Sequence, residues 1–85
     1  MIVYVLLYES GDSQEVEVYR TEDAAWKRAA DLCLSDAQEA WLDKAIVKGI
    51  TDRIKKGRFK RAVQFLEESL QEGQKYIVLK LPLLK

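Results

Sequence analysis

Six of the chain's fourteen basic side chains fall within residues 51 to 64, TDRIKKGRFKRAVQ: Arg53, Lys55, Lys56, Arg58, Lys60 and Arg61. Cations gathered this closely can neutralise phosphates, dock an acidic protein surface or simply solvate a helix. Lys55 and Lys56 end one expected helix, and Arg58, Lys60 and Arg61 begin the next, so the charge collects around one interhelical turn. The free N–H groups of a helix start add to its attraction for anions. No aromatic motif, glycine clamp or second basic stretch accompanies it, as nucleic-acid modules usually require. The turn is therefore expected to dock protein, with nucleic acid as the alternative.

Catalytic chemistry is scarce elsewhere. Histidine is absent, which removes the commonest general base and the commonest transition-metal ligand. No glycine-rich loop joins a strand to a helix in the way phosphate and dinucleotide sites need. Cys33, the single cysteine, lies on an apolar helical stripe without a histidine to activate it, and reads as a small core residue. Glu67 and Glu68, as helix neighbours, diverge by about 100°, and Glu15 and Glu17 look solvent-facing, so neither pair forms a shared-proton dyad. The stretch ESGDSQE supplies oxygen ligands without the spacing of a calcium loop. The expectation is a protein that is not an enzyme, with no cofactor, no metal and no evident small-molecule substrate.

Trp26 and Trp41 could stack bases or anchor a partner, but both stand where helical spacing also asks for core residues. Tyr4, Tyr8, Tyr19 and Tyr76 belong to expected strands and could line a sheet face turned away from the helices. Tyr4 and Tyr76 are the tyrosines assigned to a partner, together with the basic turn.

The elements that must position these groups follow from length and pattern. At 85 residues the chain is expected to form one domain over residues 1–85, because so small a core cannot be divided and still outweigh chain entropy. Apolar residues make up 48% and charged residues 33%, a balance suited to a compact fold. The apolar start MIVYVLLYES lacks the basic residues and cleavage site of a signal peptide, and no run reaches a membrane span of about 18 residues. With one cysteine and no export signal, the expected address is the cytoplasm.

The net charge of zero hides a segregation: residues 1–43 carry ten acidic and three basic groups, whereas residues 44–61 carry eight basic and one acidic. Either the two regions steer a partner, or they lie side by side and compensate each other.

IVYVLLY (2–8) is apolar throughout and β-branched, as a central strand is. The loop ESGDSQ leads to EVEVYR (15–20), where Val16 and Val18 alternate with Glu15, Glu17 and Tyr19; the valines are expected to face the core and the glutamates water. A helix capped by Thr21 then carries Trp26, Ala29, Ala30, Cys33 and Leu34 at helical spacing. SDAQ (35–38) repeats the capping pattern and predicts a break. A second helix follows, with Leu42, Ile46, Ile50 and Ile54 spaced by four through Gly49, and Gly57 ends it. The third helix buries Phe59, Ala62, Val63, Leu66 and Leu70 and closes at Gly73. KYIVLKLP is a last strand stopped by Pro82. Leu83 and Leu84 beyond it either pack back or meet a partner.

The segment KKGRFKRAVQFLEESL resembles the turn between paired helices of a tetratricopeptide repeat, with Gly57, Phe59, Ala62 and Phe65 at matching places. The resemblance implies a compact helix-turn-helix and no repeat array. The whole predicts an α+β fold, ββαααβ, with a three-stranded antiparallel sheet in order 2-1-3 and helices packed on one face. Its expected role is binding to protein, through self-association or as a regulator or inhibitor of a larger protein or nucleoprotein complex; nothing points to a membrane.

Overall fold

A strand that is apolar on both faces loses least in the middle of a sheet, and that is where IVYVLLY lies. The computed structural model describes residues 1–10, 13–40, 42–71 and 75–82. They form β1 (Ile2–Ser10), β2 (Ser13–Tyr19), α1 (Glu22–Glu39), α2 (Lys44–Lys55), α3 (Phe59–Leu70) and β3 (Tyr76–Pro82). The sheet order is β2-β1-β3, with both neighbours antiparallel to β1. This is the expected α+β arrangement. In the ladder Leu6 stands between Glu17 and Val78, and Tyr8 between Glu15 and Tyr76.

One helix, α1, lies directly on the sheet and touches all three strands, while α2 and α3 pack against α1 and each other. Its position between two packing partners explains its composition. Ala25, Ala29, Ala30, Cys33 and Ala37 are all buried, and small side chains let strand and helix backbones approach from both sides. Trp26, Leu32 and Leu34 rim that stripe, half-buried. The Cα atoms span 46 × 31 × 18 Å.

The helix ends follow local chemistry. Thr21 caps α1 by accepting from the Ala24 N–H at 3.1 Å, and Glu22 and Asp23 occupy the first turn. The break expected at Ser35 does not occur: α1 continues to Glu39, and the second cap is Asp43, which accepts from the Ala45 N–H at 2.8 Å. Ala37 extends the buried row that began at Ala25, so packing on both sides carries the helix through the capping pattern. Leu42 consequently precedes α2, and Ile46, Ile50 and Ile54 form its apolar row.

Helix α2 runs through Gly49 as expected and stops at Gly57, whose φ is +73°. There the Gly57 N–H donates to the Ile54 carbonyl at 3.0 Å and the Arg58 N–H to the Arg53 carbonyl at 2.9 Å, the paired bonds that close a helix over a left-handed glycine. Helix α3 buries Ala62, Val63 and Leu66. It ends at Gln71, itself left-handed at φ 54°, two residues short of the predicted closing glycine. Gly73, Trp41, Leu83 and Leu84 lie outside the described residues.

Candidate interaction surface

Strand alternation sorts the sheet into two faces, and the register identifies them. Leu6 is fully buried beneath α1, so Tyr4, Tyr8, Glu15, Glu17, Tyr19, Tyr76 and Val78, which share its parity across the ladder, also lie on the helix side. The opposite face carries Val3, Val5 and Leu7 of β1, Val16 and Val18 of β2, and Ile77, Leu79 and Leu81 of β3. All eight are aliphatic. No described element covers them, and Val18 is 62% and Leu79 40% exposed.

This reverses the assignment of β2. Val16 and Val18 face outward, and Glu17 faces α1. The inversion is stable because Glu17 is fully provided with donors: the hydroxyls of Tyr8 and Tyr19 and the Arg28 Nε, the last at 3.1 Å. These hydrogen bonds, Tyr19's foremost, hold the Glu17 carboxyl below the usual range, since they favour the ionised form. Burial, then the carboxylate, pushes the Tyr19 phenol up to about 12. An inward-pointing charge on an edge strand also discourages an incoming strand from pairing there.

The tyrosines therefore do not line the open face. Tyr76 is 3% exposed and is not available to a partner in the folded chain. Its hydroxyl donates to the Asp36 carboxylate on α1, and its ring stacks on Tyr8 with centroids 6.0 Å apart. Burial foremost, then the Asp36 hydrogen bond, raises its pKa. Tyr4 is half-buried on the same helix side, between Tyr19 and Lys80. The aliphatic residues of the open face were not singled out in the sequence. Their signal was there in the large aliphatic residues Ile77, Leu79 and Leu81 at alternate positions of β3, and in a central strand too apolar for one covered face.

The basic turn does bring its residues together. Arg53, Lys56, Arg58 and Arg61, with Asp52, line a cleft of about 230 Å³. Lys55 is exposed at the end of α2 and stands outside that lining. Lys60 turns toward α1, its Nζ 5.5 Å from the centre of the Trp26 ring. On that side a broader groove has Arg58, Lys60 and Arg61 along with Glu22 and Asp23. The acidic first turn of α1 thus faces part of the basic cluster, and the charge segregation is partly compensated within the fold.

Cys33 is fully buried on α1. Burial, reinforced by Glu67 and Asp36, pushes its thiol up to about 12, so it stays neutral and packs as an apolar group. No helix among the described residues is long and apolar enough to cross a membrane. Comparison with known proteins returns no matching family model, no matching curated sequence and no matching solved structure.

Proposed function

We propose that this chain is a non-catalytic protein-interaction module whose docking surface is the open face of its sheet. One observation carries the reading: eight aliphatic side chains on three strands share a face that no described element covers, five of them exposed and three half-buried. The five are 37–62% exposed and Val3, Val5 and Leu7 are half-buried, so the patch amounts to roughly 500 Å², within the upper part of what monomers ordinarily leave exposed. Burying such a surface supplies binding free energy without any reacting group. A module of this kind acts by occupancy, as a stoichiometric regulator or inhibitor does.

Site-resolved photo-crosslinking in producing cells tests this. A photoreactive residue replacing Val18 or Leu79 is expected to yield adducts of defined mass, and one replacing Glu68 on the exposed side of α3 is expected to yield none. If the two sheet positions give no more adduct than Glu68, the face is not a docking surface.

A second reading, nucleic-acid binding through residues 53–61, draws support from the four cations around the 230 Å³ cleft and from the start of α3, where Arg58 makes no side-chain cap. It requires affinity that falls steeply with salt, about 0.9 log unit per log unit of salt for each duplex phosphate contact. A salt titration against labelled DNA and RNA, repeated with Lys56→Glu, Arg58→Glu and Arg61→Glu combined, decides it.

A further inference from the structure

The open face is laid out to match itself, and we infer that its occupant is a second copy of this chain, packed sheet to sheet about a two-fold axis that runs across the strands. The inference rests on the reading of that face as a docking surface and names what docks there.

Area is the first support. Two copies, each contributing roughly 500 Å², bury about 1,000 Å² together, the threshold at which an interface counts as more than an incidental contact. Facing sheets settle at about 10 Å separation with strands near −30°, a distance that branched aliphatic side chains from both sides fill.

Polarity is the second. A face without charged or hydrogen-bonding side chains inside its contour offers nothing to pair with a foreign partner's polar groups. Opposed to its own copy across the aliphatic rows, it brings no like charges into contact.

Register is the third. Across the ladder Val5, Val18 and Leu79 form one row, and Leu7, Val16 and Ile77 the next. A two-fold axis between these rows lays each on the other row of the second copy, six aliphatic side chains from each side. Glu9 and Gln14, paired in the ladder, close one end of the face, and Arg20, immediately after β2, stands at the other. The same axis carries Arg20 over Gln14 and Val3 over Glu9 of the second copy, so the polar ends of the face fall at the rim, outside the six-residue rows. An axis along the strands would instead bring each Glu9 toward its own copy. Two-fold pairing also closes the assembly, leaving no aliphatic face for further growth.

Sedimentation equilibrium of the full chain, with Val18→Lys and Val16→Lys variants and circular dichroism for each, tests the inference. Both positions are highly exposed on an edge strand, so lysine there needs no rearrangement of the fold. The wild type is expected to sediment at twice the 9.8 kDa chain mass. Both variants are expected to remain folded and to weaken dimerisation at least about tenfold, because each buries an unpaired charge. A wild type that stays monomeric up to about 500 μM, a dissociation free energy below about 4.5 kcal/mol, overturns the second copy as occupant. Sheet-face crosslinks to a different protein would then leave the docking reading standing. A dimer that both variants leave unchanged, with no crosslinks from Val18 or Leu79, overturns both.

Discussion

The ring of Phe65 on α3 fills the space that a side chain on residue 49 of α2 would need: its Cε1 atom lies 2.5 Å from where a Cβ on Gly49 would stand. Arg53 covers the ring from α2, its guanidinium 4.1 Å from the centroid, and donates from Nη1 to the Gly49 carbonyl at 3.0 Å. The glycine is a contact point between two helices, and its helix penalty is the cost of that approach.

Gly49→Ala is accordingly expected to destabilise, although alanine favours an isolated helix by about 1 kcal/mol over glycine. Overpacking against Phe65 opposes that gain by about 1–3 kcal/mol. The net is a loss of about 1 kcal/mol, or roughly 4–8 °C in Tm for a chain of this size. In a Phe65→Leu background the same change should become neutral or stabilising. Thermal melts of the four proteins measure the coupling, and an equal effect of Gly49→Ala in both backgrounds would rule out the ring as its cause.

Glu17 makes stability pH-dependent at both ends. Its folded pKa is lowered, so its contribution is present above the unfolded carboxyl value of 4.5 and is lost as pH falls through the lower folded value. Tyr19 has the opposite sign. Its folded pKa of about 12, raised from 10.0, means its contribution is complete below pH 10 and is lost as pH rises toward 12. Glu17→Gln should cost about 1–2 kcal/mol at neutral pH and flatten the acid limb of a Tm-against-pH curve. Tyr19→Phe should flatten the alkaline limb. Unchanged limbs in these variants would mean that the Tyr8–Glu17–Tyr19 cluster does not form.

Cys33 is expected to resist a thiol reagent in the native protein at pH 8, because it is fully buried and its thiol is held neutral. Labelling should track global unfolding and accelerate in step with denaturant. Rapid stoichiometric labelling under native conditions would show that α1 opens locally.

The proposed two-fold arrangement places Val18 of one copy over Val16 of the other. Val18→Lys and Val16→Glu should each be monomeric alone and should form a one-to-one heterodimer when mixed, since lysine then meets glutamate. Size-exclusion chromatography with light scattering reads this directly. A mixture that stays monomeric would exclude the axis across the strands.

Element order and sheet order were legible because their signals are local or topological. A strand apolar on both faces belongs in the centre, Thr21 and Gly57 mark helix ends, and a hairpin followed by three helices returns β3 beside β1. The packing of Ala62, Val63 and Leu66 was equally plain in helical spacing. The capping pattern at Ser35 misled because a cap is only an option for the backbone, and burial of Ala37 outweighed it.

What the sequence by itself determined is thus the list of elements, their order and the scarcity of reacting groups. Tertiary structure decided which face of each strand turns inward. Alternation creates two faces but does not label them, and a one-residue change of register exchanges them completely. The label was set by contacts distant in sequence: Glu17 meets Arg28, and Tyr76 meets Asp36 forty residues away. Those polar pairings drew the tyrosines and a glutamate under α1 and turned the valines and leucines outward. An open sheet face was therefore foreseeable from a central strand apolar on both sides, but the residues that line it became identifiable only once the strands were paired.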